Sequence, residues 1–219
     1  IMRVLVYSWF PVLATQQLGG TQQIVRDLLP KLAMAGIEVI VLCPAARNSE
    51  LLASTANLRI LPVLSDPFSK SRYPYHQQSD LHHLSTALQG VDVVWSIDRP
   101  FPLNIAQPVI LRLDNFSYEG EVTSFMSFTW DVLAVVSSYL KNVTGAIAGP
   151  ELWEGEPRPI IVIPNGGDTE HFAPRNPYEL CQRLELRGNE PYILFPHRPD
   201  PHKGFVVALS ALQKLKLLG

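Results

Sequence analysis

The sequence predicts an open, doubly wound α/β domain, a parallel sheet with helices on both faces. Three observations predict it. Short Val/Ile/Leu runs such as RVLVYS (Arg3–Ser8) and EVIVLC (Glu38–Cys43) are apolar without polar alternation, the pattern of strands buried on both faces. Strand, helix and strand follow one another within Arg3–Cys43, and a βαβ unit needs parallel strands. The rhythm then repeats along the chain, which favours a doubly wound sheet over separate α and β regions.

Arg3–Ser8 is strand one, followed by a polar, glycine-containing loop, Trp9–Gly20. Thr21–Ala35 places Ile24, Val25, Leu28, Leu29 and Leu32 at helical spacing, with Thr21 as N-cap and Gly36 as stop. Pro30 predicts a kink near Arg26, because proline lacks the N–H and clashes with the preceding turn. Glu38–Cys43 and Leu58–Val63 are strands, and Ser79–Gln89 is a helix stopped by Gly90. Val91–Ile97, Val109–Leu113, Val132–Ser137 and Ile160–Ile163 are strands, with a helix from Ser138.

The segment Pro164–Pro177 (PNGGDTEHFAPRNP) is dense in proline, glycine and polar residues and marks the clearest boundary. Beyond it the sequence predicts a short helix, Tyr178–Leu186, a strand, Tyr192–Phe195, and a helix, Phe205–Leu218. The organisation expected is a first domain over 1–164, a linker over 165–190, and the first strand and helix of a second domain over 191–219. Val206, Leu209, Leu212 and Leu215 recur at helical spacing with no sheet to cover. The expectation is therefore a fragment whose natural chain starts at Met2 and continues past Gly219.

Composition narrows the function. The 219 residues carry a net charge of −2, too little for a nucleic-acid or anionic-membrane footprint. No apolar run approaches the ~20 residues of a membrane span, which leaves only peripheral membrane contact open. The N-terminus lacks the features of a signal peptide, so a cytoplasmic protein is expected, and NFS (Asn115–Ser117) and NVT (Asn142–Thr144) read as chance glycosylation matches. Cys43 and Cys181 suffice for neither a disulfide framework nor a zinc site and read as reduced thiols. His82 and His83 are adjacent, so on a helix they point about 100° apart and do not share a metal-binding face. No metal site and no cofactor are expected.

Ligands of an open α/β sheet sit beyond the carboxyl ends of its strands. Three segments fall there. Gly19 and Gly20 precede a helix, where paired glycines serve either as a tight turn or as a place where N–H groups approach an anion. Arg198 and Lys203, between strand and helix, are either a phosphate clamp or two solvated cations. Asn165, Gly166, Gly167 and Asp168 form a turn in which Asp168 caps the next stretch of backbone. Two long loops, Leu64–Gln78 and Asn115–Trp130, add aromatics: Tyr73, Tyr75, Phe116, Tyr118, Phe125, Phe128 and Trp130. These are either a platform for a sugar or caps on the edge of the core.

In order and spacing these stretches resemble glycosyltransferase family 4, built from two Rossmann-like domains in the arrangement called GT-B. Gly19–Thr21 with GIEVIVL (Gly36–Leu42), IPNGGDTEHFAP (Ile163–Pro174) and YILFPHRPDPHKGF (Tyr192–Phe205) carry the resemblance, the second being the most specific. The resemblance implies transfer of a sugar, with retention, from a nucleotide diphosphate sugar to a carbohydrate, lipid-linked or small-molecule acceptor. It implies that Gly19 and Gly20 lie at the donor diphosphate and acceptor cleft, that Arg198 and Lys203 bind the diphosphate, and that Asn165 and Gly166 line the hinge. Where the family carries a histidine that reaches the donor sugar, Asp114 or Asn115 falls here, and Asp114 is the candidate catalytic residue. His197 replaces a usual glycine, and the family's pair of glutamates would lie beyond Gly219. A nucleotide-sugar epimerase of the same fold and a non-catalytic nucleotide-sugar binder are the alternatives. The downstream glutamates would separate them.

Overall fold

The computed structural model describes residues 1–15, 19–46, 49–65, 78–116, 122, 125–127, 129–147, 158–170, 172–174, 176–187, 192–197 and 203–217. The chain divides into two compact units, Ile1–Gly167 and Asp168–Gly219. The first holds β1 (Arg3–Ser8), α1 (Gly20–Met34), β2 (Glu38–Pro44), β3 (Leu58–Leu64), α2 (Gln78–Ala87), β4 (Val93–Ile97), β5 (Val109–Leu113), β6 (Val132–Val135), α3 (Ser138–Ile147) and β7 (Ile160–Val162). The second holds α4 (Tyr178–Arg183) and α5 (Phe205–Leu217).

The seven strands form one all-parallel sheet in the order β3-β2-β1-β4-β5-β6-β7. Chain order reverses between β1 and β4, the topological switch of a doubly wound sheet. Because side chains alternate across a strand, each buried strand feeds two cores. Leu5, Tyr7, Ile40 and Leu42 join a cluster on one face with Leu84 of α2 and Leu140 of α3. Val6, Val39, Val41 and Cys43 join a second cluster with Val25, Leu29 and Ala33 of α1. At about 1.5–3 kcal/mol for each large apolar side chain fully buried, both faces contribute to stability, as the unbroken apolar runs require.

Helix α1 starts one residue earlier than expected. Gly19, not Thr21, is the N-cap, with extended backbone (φ −63°, ψ 162°), and Gln22 Oε1 accepts the Gly19 N–H at 2.9 Å. The helix is unbroken through Pro30. Its end is a Schellman turn: Gly36, at φ +84°, donates to Ala33 O, and Ile37 donates to Leu32 O. The expected N-terminal end of β4 is shortened, since Val91 and Asp92 lead in without ladder bonds. Asp92 instead exchanges two hydrogen bonds with the Arg3 main chain, from its own N–H and to its carboxylate.

In the second unit, the strand expected at Tyr192–Phe195 does not form. A strand exists by pairing, and no described residue of this unit pairs with it; Ile193 and Leu194 are largely exposed. Phe195 packs edge-on against Phe205 at the start of α5. Val206, Leu209, Leu212 and Leu215 of α5 are exposed. Asp168 caps the turn after it, its carboxylate accepting the Glu170 N–H. Among the described residues no helix is long and apolar enough to cross a membrane.

Candidate functional site

A parallel sheet puts all strand carboxyl ends on one edge, so the loops after β1, β4, β5, β6 and β7 share that edge. Two features there belong to β4 and β5. Asp98 follows β4 and is buried with a left-handed backbone, φ 53°, a conformation rare outside glycine. Asp114 follows β5 and is also buried. The Asp98 N–H donates to the Arg112 carbonyl at 2.9 Å, and Asp98 Oδ1 accepts the Asp114 N–H at 3.1 Å. The two strand ends are thus laced together by one main-chain bond and one to the Asp98 carboxylate.

Arg112 lies inside β5, where charge is rare. Its Nε and Nη2 both donate to Asp114 Oδ1, at 3.2 and 2.9 Å. Both side chains of this ion pair are 8% exposed, so it is little screened by solvent. The same Nη2 donates to Asn165 Oδ1, three residues past β7. Two separate candidates from the sequence, Asp114 and Asn165, therefore meet on one guanidinium. Arg112 and Asp98 are not among the residues that the sequence singles out. The available signals were an arginine within an otherwise apolar strand, VILRL, and an aspartate directly ending another, VVWSI.

Asp114 Oδ2 is shielded from solvent and accepts no hydrogen bond among the described residues. A buried acceptor left unmade costs about 1–3 kcal/mol, more when charged. Asp114 also lines a cleft of about 300 Å³ between the ends of β5 and β6, together with Asn115, Phe116, Ser137, Tyr139, Leu140 and Val143. Ser137 caps α3 on the far wall: its hydroxyl accepts the Leu140 N–H at 3.1 Å. The lining is amphipathic, combining carboxylate, amide and hydroxyl groups with aromatic and aliphatic ones. It suits a small ligand that carries hydroxyls on an apolar ring.

Two aromatics of the second long loop belong to the core. Phe125 and Trp130 are core, fully buried and stacked with centroids 6.1 Å apart, and Trp130 Nε1 donates to the Phe125 carbonyl. Phe116 packs edge-on against Phe125 and reaches the cleft. Tyr118 and Phe128, and Tyr73 and Tyr75 of the earlier loop, lie outside the described residues.

Gly19 and Gly20 are exposed at the start of α1. Neither has positive φ, and a Cβ on Gly20 would meet nothing within 4 Å. The turn itself therefore does not require glycine at position 20. No side chain of the N-cap residue bonds this helix end, and N–H groups of a first turn have no intrahelical acceptor. Gly166 and Gly167 are likewise exposed, with open space around a would-be Cβ. In the second unit, Lys203 is exposed immediately before Gly204 and α5. Arg198 lies outside the described residues. Cys43 is free and buried, and burial pushes its thiol above the ordinary range, with a smaller opposing effect from a Val12 backbone hydrogen bond. Among the described residues no three His, Cys, Asp or Glu side chains converge as metal ligands.

No family profile and no curated protein matches the chain. Among solved structures it is similar to a sucrose-phosphate synthase from Thermosynechococcus elongatus, with a TM-score of 0.71 at 15% identity over 98% of this chain. A second structure of sucrose-phosphate synthase from that organism aligns at TM-score 0.49 and 12% identity, over 84% of this chain and 98% of its own. The chain spans 60% of the length of the first. The similarity establishes the fold: the first unit is a Rossmann-like, GT-B-like domain, a doubly wound, all-parallel seven-stranded sheet with flanking helices.

Proposed function

We propose that the chain belongs to a cytoplasmic, retaining glycosyltransferase of the family 4 type that takes a nucleotide diphosphate sugar as donor. The observation that carries the reading is Asp114: a buried carboxylate with one oxygen unpartnered among the described residues, lining a cleft at the carboxyl edge of a GT-B-like sheet. Its carboxylate would accept a hydrogen bond from a sugar hydroxyl, while Arg112 balances its charge and Asn115 and Ser137 offer further polar contacts. The open start of α1 supports a diphosphate beside Gly19 and Gly20, where a side chain at position 20 would be tolerated by the fold but would obstruct a ligand. In this reading Arg198 and Lys203 are diphosphate-binding residues, and Asn165 and Gly166 line the hinge. No metal is part of this reading.

A panel of nucleotide sugars tests it, applied to the 219-residue chain and to the protein from its complete reading frame. Saturable donor binding and hydrolysis or transfer, weakened by Asp114→Ala, is the expected result for the complete protein. Interconversion of the sugar without transfer would replace the reading with an epimerase. Binding with no turnover would replace it with a non-catalytic binder.

A further inference from the structure

We infer that Arg112 is a positioning residue that couples Asp114 to Asn165, so that a change at the cleft carboxylate is felt where the chain leaves the sheet. The inference rests on reading Asp114 as the ligand-facing carboxylate. Three features assign the role. Arg112 grips Asp114 Oδ1 with two nitrogens, which leaves Oδ2 as the remaining acceptor. Its Nη2 is shared with Asn165 Oδ1, so anything that draws on the guanidinium at one partner alters it at the other. Its carbonyl accepts from Asp98, whose carboxylate in turn holds the Asp114 N–H. One residue thus orients Asp114 from both side chain and backbone.

A planar guanidinium can serve two acceptors in fixed directions, whereas an ammonium is a point charge on a flexible stem. Arg112→Lys therefore keeps the charge and removes the coupling. Asn165 lies two residues before the end of the first unit, at Gly167. The coupling links the site carboxylate to the exit of that unit.

Nuclear magnetic resonance on the 219-residue chain tests this without any ligand. Asp114→Asn removes the charge that Arg112 pairs with. It should shift the side-chain amide signals of Asn165, and the shift should vanish when Asp114→Asn is made in the Arg112→Lys background. In Arg112→Lys alone, backbone order parameters over Asn165–Gly167 should fall from the rigid range, about 0.85, to below about 0.6. Should Arg112→Lys fail to fold, Asn165→Ala supplies the reciprocal test, shifting the Asp114 amide and Arg112 Nε–H signals. Asn165 signals unmoved by Asp114→Asn, or moved equally in both backgrounds, would overturn the inference. A merely structural arginine would lower stability without that selective shift. Failure of the nucleotide-sugar panel with the coupling intact would instead discard the function and leave the positioning role standing.

Discussion

Arg112, inside the sheet, donates to the side chain of Asn165 beyond its last strand, 53 residues further along the chain. The same guanidinium neutralises Asp114, and both partners of that pair are buried. Breaking a buried pair from one side leaves an uncompensated charge, at a cost of about 3–5 kcal/mol. We expect Arg112→Leu to lower the unfolding free energy by that amount. Replacing both residues, Arg112→Leu with Asp114→Leu, should restore most of it. Urea melts of the two variants check this, and a double variant no more stable than the single would contradict it.

Asp98 holds a left-handed backbone that only a few residue types tolerate. Asp98→Asn keeps that tolerance and an oxygen for the Asp114 N–H, and should cost least. Asp98→Val loses the acceptor and places a β-branched side chain at positive φ. Strain of about 1–3 kcal/mol then adds to the loss of a buried bond. Thermal melts should rank the wild type first, D98N second and D98V last. Equal melting temperatures for D98N and D98V would contradict the strain argument.

Gly20 and Gly90 should respond in opposite ways. A Cβ at Gly20 meets nothing, so Gly20→Val should leave thermal stability nearly unchanged, and under the proposed function it should weaken nucleotide-sugar binding. A Cβ at Gly90 would come within 2.7 Å of the Arg3 guanidinium, at a position already at φ +69°. Gly90→Val should destabilise by about 1–3 kcal/mol, by the strain of a left-handed non-glycine residue. A stability loss at Gly20 equal to that at Gly90 would return Gly20 to the role of a tight-turn residue.

The two cysteines should differ in reactivity. Cys43 is buried and its thiol is shifted upward by desolvation, whereas Cys181 is half-buried on α4. Native alkylation with detection by mass spectrometry should label Cys181 at least about tenfold faster, since the thiolate is the nucleophile. The raised thiol also sets a sign. The folded state holds the Cys43 proton more tightly than the unfolded state does. Its contribution to stability is complete below the unfolded thiol pKa and is lost as pH rises through the folded one. Cys43→Ser should therefore flatten the alkaline limb of the stability profile.

Much of this molecule is legible without coordinates. Unbroken Val/Ile/Leu runs require a sheet covered on both faces, and the observed clusters arise from side-chain alternation along those runs. Gly36 and Gly90 are readable as helix stops because a left-handed residue after a helix is a local demand. Asp114 and Asn165 are readable as site candidates only through the resemblance to glycosyltransferase family 4. Tertiary structure alone decides the rest. Pairing between distant segments determines whether an apolar run is a strand, and Tyr192–Phe195 finds no partner among the described residues of its unit. Whether Phe125 and Trp130 face a ligand or the core depends on what packs against them, and the core claims both. The link through Arg112 joins residues far apart in sequence, and no local pattern encodes it. It exists because a parallel sheet brings the carboxyl ends of β4, β5 and β7 to one edge, where a buried guanidinium must find its acceptors.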